Sequence, residues 1–296
     1  MADILYPPSR PLSVGEILDT AFRIFGATLL KCLPYAALAV IAGQLPAIYD
    51  VVTGHGLLQS ALGLRQARDP LWWILYLVAI FSSLALPSAI ILRQYALATG
   101  RPTATAVELA TAARRVPGVL LIGILLALAI GATLIPVLVV AFTFGLLRSA
   151  VGTAPGIVGL ITIGLCVLIA ASWVVIRWIC SVTVYLLTER GPVASMSHSW
   201  HLTSGNFWRL SLVYSVGAVL IIVLYVLSAV VSGVVSLVVG RGDVALITAT
   251  AAVVVLLLGA IASPFYTALT LAVLGDLSVR KEGTDLAQRI SAPAVT

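Results

Sequence analysis

VPGVLLIGILLALAIGATLIPVLVVAFTFGLL, residues 116–147, runs for 32 positions without one charged side chain. A helix needs roughly 20 predominantly apolar residues to cross a bilayer, so this stretch alone is long enough to span one. It has company on both sides. Residues 71–92, 149–176, 210–240 and 244–275 are also free of Asp, Glu, Lys and Arg. The stretch from Ile24 to Tyr49 joins them if the Lys31 ammonium reaches the headgroups along its own alkyl stem. Six spans follow, and bilayer rather than water is the solvent in which this chain is read.

Composition agrees. The chain is 61% hydrophobic and 9% charged, where a soluble domain carries about 25% charged residues. Spans fill most of the 296 residues, so residues 1–296 are expected to form a single polytopic membrane domain with no room for a separate soluble fold. The opening MADILYPPSR has acid and paired prolines where a secretory signal would be basic and then apolar, which predicts that the first span does the targeting.

A net charge of +6 suggests nucleic acid in a soluble protein, but here the basic residues alternate by side. With the amino terminus in the cytoplasm, that face collects Arg10, Arg23, Lys31, Arg93, Arg101, Arg114, Arg115, Arg177, Arg190, Arg209, Arg280, Lys281 and Arg289, leaving Arg65, Arg68, Arg148 and Arg241 opposite. That places 13 of the 17 basic residues inside, a positive-inside pattern that puts both termini in the cytoplasm and favours anionic lipid headgroups at that face.

The order of proline, short amphipathic stretch and two spans occurs three times, at Pro11, Pro102 and Pro192. The phrases YALATGRP (95–102) and YLLTERGP (185–192) align without a gap. Units of about 11–98, 102–188 and 192–279, followed by a polar tail at 280–296, would be parallel repeats around an axis along the membrane normal. Each pair of spans is expected to follow a cytoplasmic interfacial amphipathic segment. In the first, Ser13 and Glu16 form a capping box. Val14, Ile17, Leu18, Ala21, Phe22 and Phe25 share a face, opposite Glu16, Asp19, Thr20 and Arg23. Thr105 and Glu108 repeat the capping box. The third copy, around Ser195, has His198 instead of the acid.

Runs of 31 or 32 residues would make helices about 48 Å long against a hydrocarbon core of about 30 Å. Pro136 and Pro264 fall inside such runs, and Pro87 inside the shorter run 71–92, as expected kink points. The longest outer loop is expected at about Thr53 to Pro70. Cys32, Cys166 and Cys180 read as small buried hydrophobes.

Candidate sites are few. Arg177 lies between Trp173 and Trp178 near the end of its span, and Arg93 precedes Gln94 at the end of another. Each is read as either a snorkelling cation or a contact for a headgroup or substrate anion. Arg114 and Arg115 are candidate headgroup or partner contacts, and Glu16, Asp19 and Arg23 mark the candidate interfacial helix. Ser228, Ser232 and Ser236 form a small-residue stripe suited to helix packing. Gln44 is the most buried-looking polar residue of the first span. His198 and His201, three residues apart without a nearby carboxylate or thiolate, make a poor metal site. No acidic pair lies in a span and no serine elbow occurs. No catalytic residue, cofactor or metal is therefore expected.

RPLSVGEILDTAFRIF (10–25), SHSWHLTSGNFWRL (197–210) and LAVLGDLSVRKEGTDLAQRI (271–290) together resemble the bacterial glycerophosphoryl diester phosphodiesterase membrane-domain proteins, over most of the chain. The resemblance implies a multi-pass bacterial plasma-membrane protein whose membrane region is, in some members, fused to a phosphodiesterase domain. That catalytic half uses His-Arg and Glu-x-Asp signatures, and this sequence contains neither, so no catalytic residue carries over. The function expected is a non-catalytic scaffold or accessory to a membrane-associated system. A transporter or channel for a small solute or lipid is the alternative.

Overall fold

The structure, a computed structural model, describes residues 5–53, 69–151, 153–239 and 244–283. Among these residues there are nine helices and no strand: α1 (Val14–Gly43), α2 (Leu45–Val52), α3 (Pro70–Ala98), α4 (Thr105–Val151), α5 (Thr153–Trp178), α6 (Ser181–Leu187), α7 (Pro192–Thr203), α8 (Phe207–Val239) and α9 (Val244–Glu282). Six stretches are long and apolar enough to cross a membrane: Val14–Gly43, Pro70–Ala98, Thr105–Val140, Ile161–Leu187, Phe207–Val231 and Leu256–Glu282. The chain is an all-helical multi-pass membrane protein, as its apolar runs predict.

Local chemistry sets the helix ends. The Glu16 N–H donates to Ser13 Oγ at 3.3 Å and the Ser13 N–H to Glu16 Oε2 at 2.7 Å, completing the capping box that starts α1. At the end of α3, Arg101 N–H reaches Ala96 O at 2.8 Å and Gly100 N–H reaches Leu97 O at 3.2 Å. This is the Schellman stop, and it turns on Gly100 at φ 68°, where a side chain would be strained. The aligned phrase at 185–192 has its glycine one place later, at Gly191, with φ −68°. There it starts α7, with Pro192 in the first turn where no N–H is needed.

The chain divides into two compact units, Met1–Val116 with Leu212–Thr296, and Pro117–Ser211. In the first, α1 packs against α3 and α9. Its buried face is Ile17, Ala21, Ile24, Thr28, Cys32, Tyr35 and Ala36, and Cys32, Tyr35 and Ala36 form a cluster with Ile90 and Ala260. The segment before α1 crosses the ends of the other two helices. Leu5 and Tyr6 N–H groups donate to Ala98 O, and Leu12 is held at both backbone atoms: its N–H donates to Asp276 Oδ1 at 2.7 Å and its carbonyl accepts from Arg280 Nη2 at 2.7 Å. Arg280 Nε also lies 3.1 Å from both Asp276 oxygens. In the second unit, α7 packs on α5 and α6 through Ser195, Met196, Ser199, Leu202 and Thr203.

Leu128, Leu168, Ile222 and Leu227 are more than half exposed to their surroundings. On helices of this composition such positions face acyl chains, which are as apolar as leucine itself.

Several details depart from the expectations. The first two leading segments are not separate helices: α1 and α4 run unbroken from the segment into the span. The apolar face of the first is covered by protein, although Phe22 stays 46% exposed. Only α7, before α8, stands as a helix of its own. Thr105 is the first residue of α4, not its cap, and the Glu108 N–H bonds Ala104 O. Gln44 is exposed as the C-cap of α1, whereas Gln94 is fully buried. Pro87, Pro136 and Pro264 lie within continuous helices, as do Pro34 and Pro117. Cys32 and Cys180 are buried but Cys166 is exposed, and α5 ends between Cys166 and Cys180. Residues 280–282 of the expected tail belong to α9. The outer loop beyond Thr53, the side chains of Ser228, Ser232 and Ser236, and residues 284–296 lie outside the described residues.

Candidate functional site

Arg93 occupies the inward face of α3, five residues before the helix ends. It lies 21 residues after Trp72, about 32 Å at the rise of a straight helix, close to the thickness of a hydrocarbon core. The Trp72 end carries an aromatic belt: Trp72 stacks on Tyr76 at 5.0 Å and meets Trp73 edge to face at 5.2 Å. Tyr49 OH donates to Asp69 Oδ2, and Trp72 Nε1 approaches Asp50 Oδ2 at 3.4 Å, tying α2 to the start of α3. Belts of this kind sit at membrane–water boundaries, which places Arg93 at the opposite boundary.

Arg93 is engaged there by the protein itself. Nε donates to Glu108 Oε2 at 2.6 Å, and Nη2 donates to Thr105 Oγ1 at 2.7 Å and Tyr35 OH at 3.1 Å. The guanidinium carbon lies 5.2 Å from the centre of the Tyr35 ring. The two charged side chains are 11% and 9% exposed. A pair this buried gains little over an apolar replacement but is strongly destabilising when only one partner is removed. One residue further on, Gln94 Nε2 donates to Pro264 O at 2.8 Å and approaches Thr28 Oγ1 at 3.4 Å. This polar seam joins α1, α3, α4 and α9. Two acceptors in it, Gln94 Oε1 and Glu108 Oε1, are buried without a hydrogen bond.

A second cluster forms where α5 ends. The Arg177 guanidinium carbon is 5.4 Å from the Trp173 ring centre and 5.1 Å from that of Trp200. The two indoles meet edge to face at 5.2 Å. Three separations of about the same length describe a corner, not a sandwich, so the cation caps two perpendicular rings. Trp178 extends the aromatic wall at 5.6 Å from Trp200. The Arg177 carbonyl, one of the acceptors a helix end leaves free, accepts from Ser199 Oγ at 3.0 Å and Thr203 Oγ1 at 3.2 Å. Arg177 Nε and Nη1 are buried without a partner.

The other candidate residues do not converge on either cluster. Arg114 is exposed and Arg115 half-buried on α4. Glu16 pairs with Arg10 and the Ser13 amide, while Asp19 and Arg23 are exposed on the outer face of α1. Arg23 also borders a groove of about 340 Å³ lined by Pro7, Pro8, Arg10 and Thr20. His198 Nδ1 lies 2.9 Å from Arg190 Nη1. Because a guanidinium only donates, that nitrogen accepts and carries no proton. Among the described residues, no three of His, Cys, Asp and Glu are grouped to hold a metal.

Sequence reading missed Glu108, Tyr35 and Gln94 as partners of the Arg93 end of α3. One signal was available: between Asp69 and Glu189 the chain has a single acid, Glu108, leaving Arg93 one carboxylate in that whole stretch.

Comparison with protein families, with curated proteins and with solved structures finds no match for this chain. The class defined by the fold is that of a multi-pass α-helical membrane protein.

Proposed function

We propose that this chain is a non-catalytic protein of a bacterial inner membrane, with both termini in the cytoplasm, related to the membrane part of the glycerophosphoryl diester phosphodiesterase membrane-domain proteins. On this reading it scaffolds, or assists, a membrane-associated system through its basic face, which also meets anionic headgroups. The observation that carries it is the first half of α1. Ile17, Ala21 and Ile24 are buried while Asp19 and Arg23 on the same turns are exposed, so α1 presents a fixed charged face, which supports this reading. The test is gentle purification from native membrane. A stable partner that is lost in a Glu16→Ala/Arg23→Ala variant supports docking through α1. Full recovery of that partner by the variant removes α1 from the reading, and absence of any partner removes scaffolding.

Transport of a small solute or lipid is the second reading, favoured by the two unpaired acceptors in the polar seam. Ionisable groups among spans mark permeation paths in many transporters. Solute flux in vesicles that falls in a Glu108→Gln variant supports it, and flux equal to that of empty vesicles rejects it.

A further inference from the structure

We infer that the corner formed by Arg177, Trp173, Trp178 and Trp200 is a binding site for the phosphate of an anionic phospholipid. The first argument is unmet hydrogen bonding. Arg177 Nε and Nη1 are both buried and neither has an acceptor, and a guanidinium cannot shed its charge to relieve this. An unmatched buried donor on a charged group is among the least favourable arrangements a fold tolerates. A phosphate oxygen is the acceptor that a guanidinium edge recognises best.

Charge and shape add to this. Residues 117–211 contain one acid, Glu189, against four arginines. Nε and Nη1 are covered in this structure, so an oxyanion reaches them as the partly exposed Trp173 and Trp200 rings give way. Trp173 is 39% and Trp200 36% exposed, and Leu165, Leu168 and Ile169 on the same helix are each more than half exposed. An apolar track of that kind, leading to a cation ringed by indoles, suits a molecule with acyl chains below its phosphate and not a free ion.

The same geometry sets selectivity. Aromatic corners take up quaternary ammonium groups by cation–π attraction, but this one already holds a cation. A choline headgroup therefore meets repulsion where a glycerol headgroup meets none, and phosphatidylglycerol is preferred over phosphatidylcholine. This site does not depend on whether the chain docks a protein partner.

Native mass spectrometry of the full chain in mild detergent, titrated with each lipid, tests the assignment. The wild type is expected to retain phosphatidylglycerol at least tenfold more tightly than phosphatidylcholine. Arg177→Gln is expected to bring the two within about twofold of each other. It replaces only the guanidinium end of the side chain, leaving the carbonyl held by Ser199 and Thr203 in place, and thermal melting checks that it folds. Trp173→Leu, which keeps the cation and removes an exposed indole, is expected to lower the preference at least threefold and provides an independent reading. The assignment is overturned by an unchanged preference in both variants, or by a wild type without preference. It is equally overturned if inorganic phosphate at low millimolar concentration displaces the lipid from the wild type, which would make the site one for a free anion.

Discussion

Arg93 and Glu108 show how one residue changes meaning between sequence and fold. As a sequence, Arg93 is a cation at the end of an apolar run and Glu108 is the acid of a capping box. In the fold they are one buried pair, 2.6 Å apart, with Tyr35 and Thr105 completing the donor and acceptor set. Removing one member leaves the other charge without a partner, so Glu108→Ala is expected to lower stability by roughly 3–5 kcal/mol. Arg93→Met/Glu108→Leu, which empties the site of charge, is expected to recover most of that loss. Reversible denaturation in detergent measures both, and a double variant no more stable than the single one would show that the pair contributes more than its own compensation. Asp276, 1% exposed, accepts from both Leu12 and Arg280. Asp276→Ala is expected to cost roughly 1–3 kcal/mol by leaving these donors unmatched and to speed hydrogen exchange at the Leu12 amide; unchanged protection there would mean that the leading segment is held by its other contacts.

At the scale of elements, the capping and stop signals were legible and the packing faces only partly so. Ser13 with Glu16 starts α1 as its spacing implies, because a capping box is satisfied within four consecutive residues. Thr105 with Glu108 has the same spacing and does not close, because Arg93 takes both side chains. Helical spacing puts Ile17, Ala21 and Phe22 on one apolar face of α1. Ile17 and Ala21 are buried, yet Phe22 is 46% exposed with its ring 5.1 Å from that of Phe265. The reason is that periodicity gives a face but not how far a neighbour covers it: α9 meets the Phe22 ring through Phe265 and leaves the rest of that ring open. Close approach was invisible for the same reason. A Cβ placed on Gly118 of α4 would lie 2.1 Å from Tyr185 OH and 2.3 Å from Tyr185 Cζ on α6. Gly118→Ala is therefore expected to destabilise by roughly 1–3 kcal/mol, through overpacking. In a Tyr185→Leu background the same change is expected to be nearly neutral. Thermal melting of the four chains measures the coupling, and equal losses in the two backgrounds would rule out contact between Gly118 and Tyr185 as the cause.

For the whole molecule, the six candidate spans are an even number, and the proposed topology puts both ends of the chain on the cytoplasmic face. Single cysteines at positions 2 and 290, in a chain whose three native cysteines are replaced, are expected to react with an impermeant maleimide only when the cytoplasmic face is open. A cysteine at position 65 is expected to react from the outside. Reaction of positions 2 and 290 from opposite faces would leave an odd number of crossings and remove the arrangement of basic residues described above.

The number of spans was determined by the sequence alone. Transfer from water to hydrocarbon is nearly a sum over single residues, and a run of 32 uncharged positions carries that sum whatever its neighbours do. The tertiary structure alone decided which polar groups meet. Arg93 finds Glu108, Arg177 finds Trp200, and Leu12 finds Asp276 264 residues away, because each pairing depends on which helix faces come together. No local spacing encodes that, since a donor read in isolation is equally suited to a lipid, a solvent molecule or a side chain from the far end of the chain.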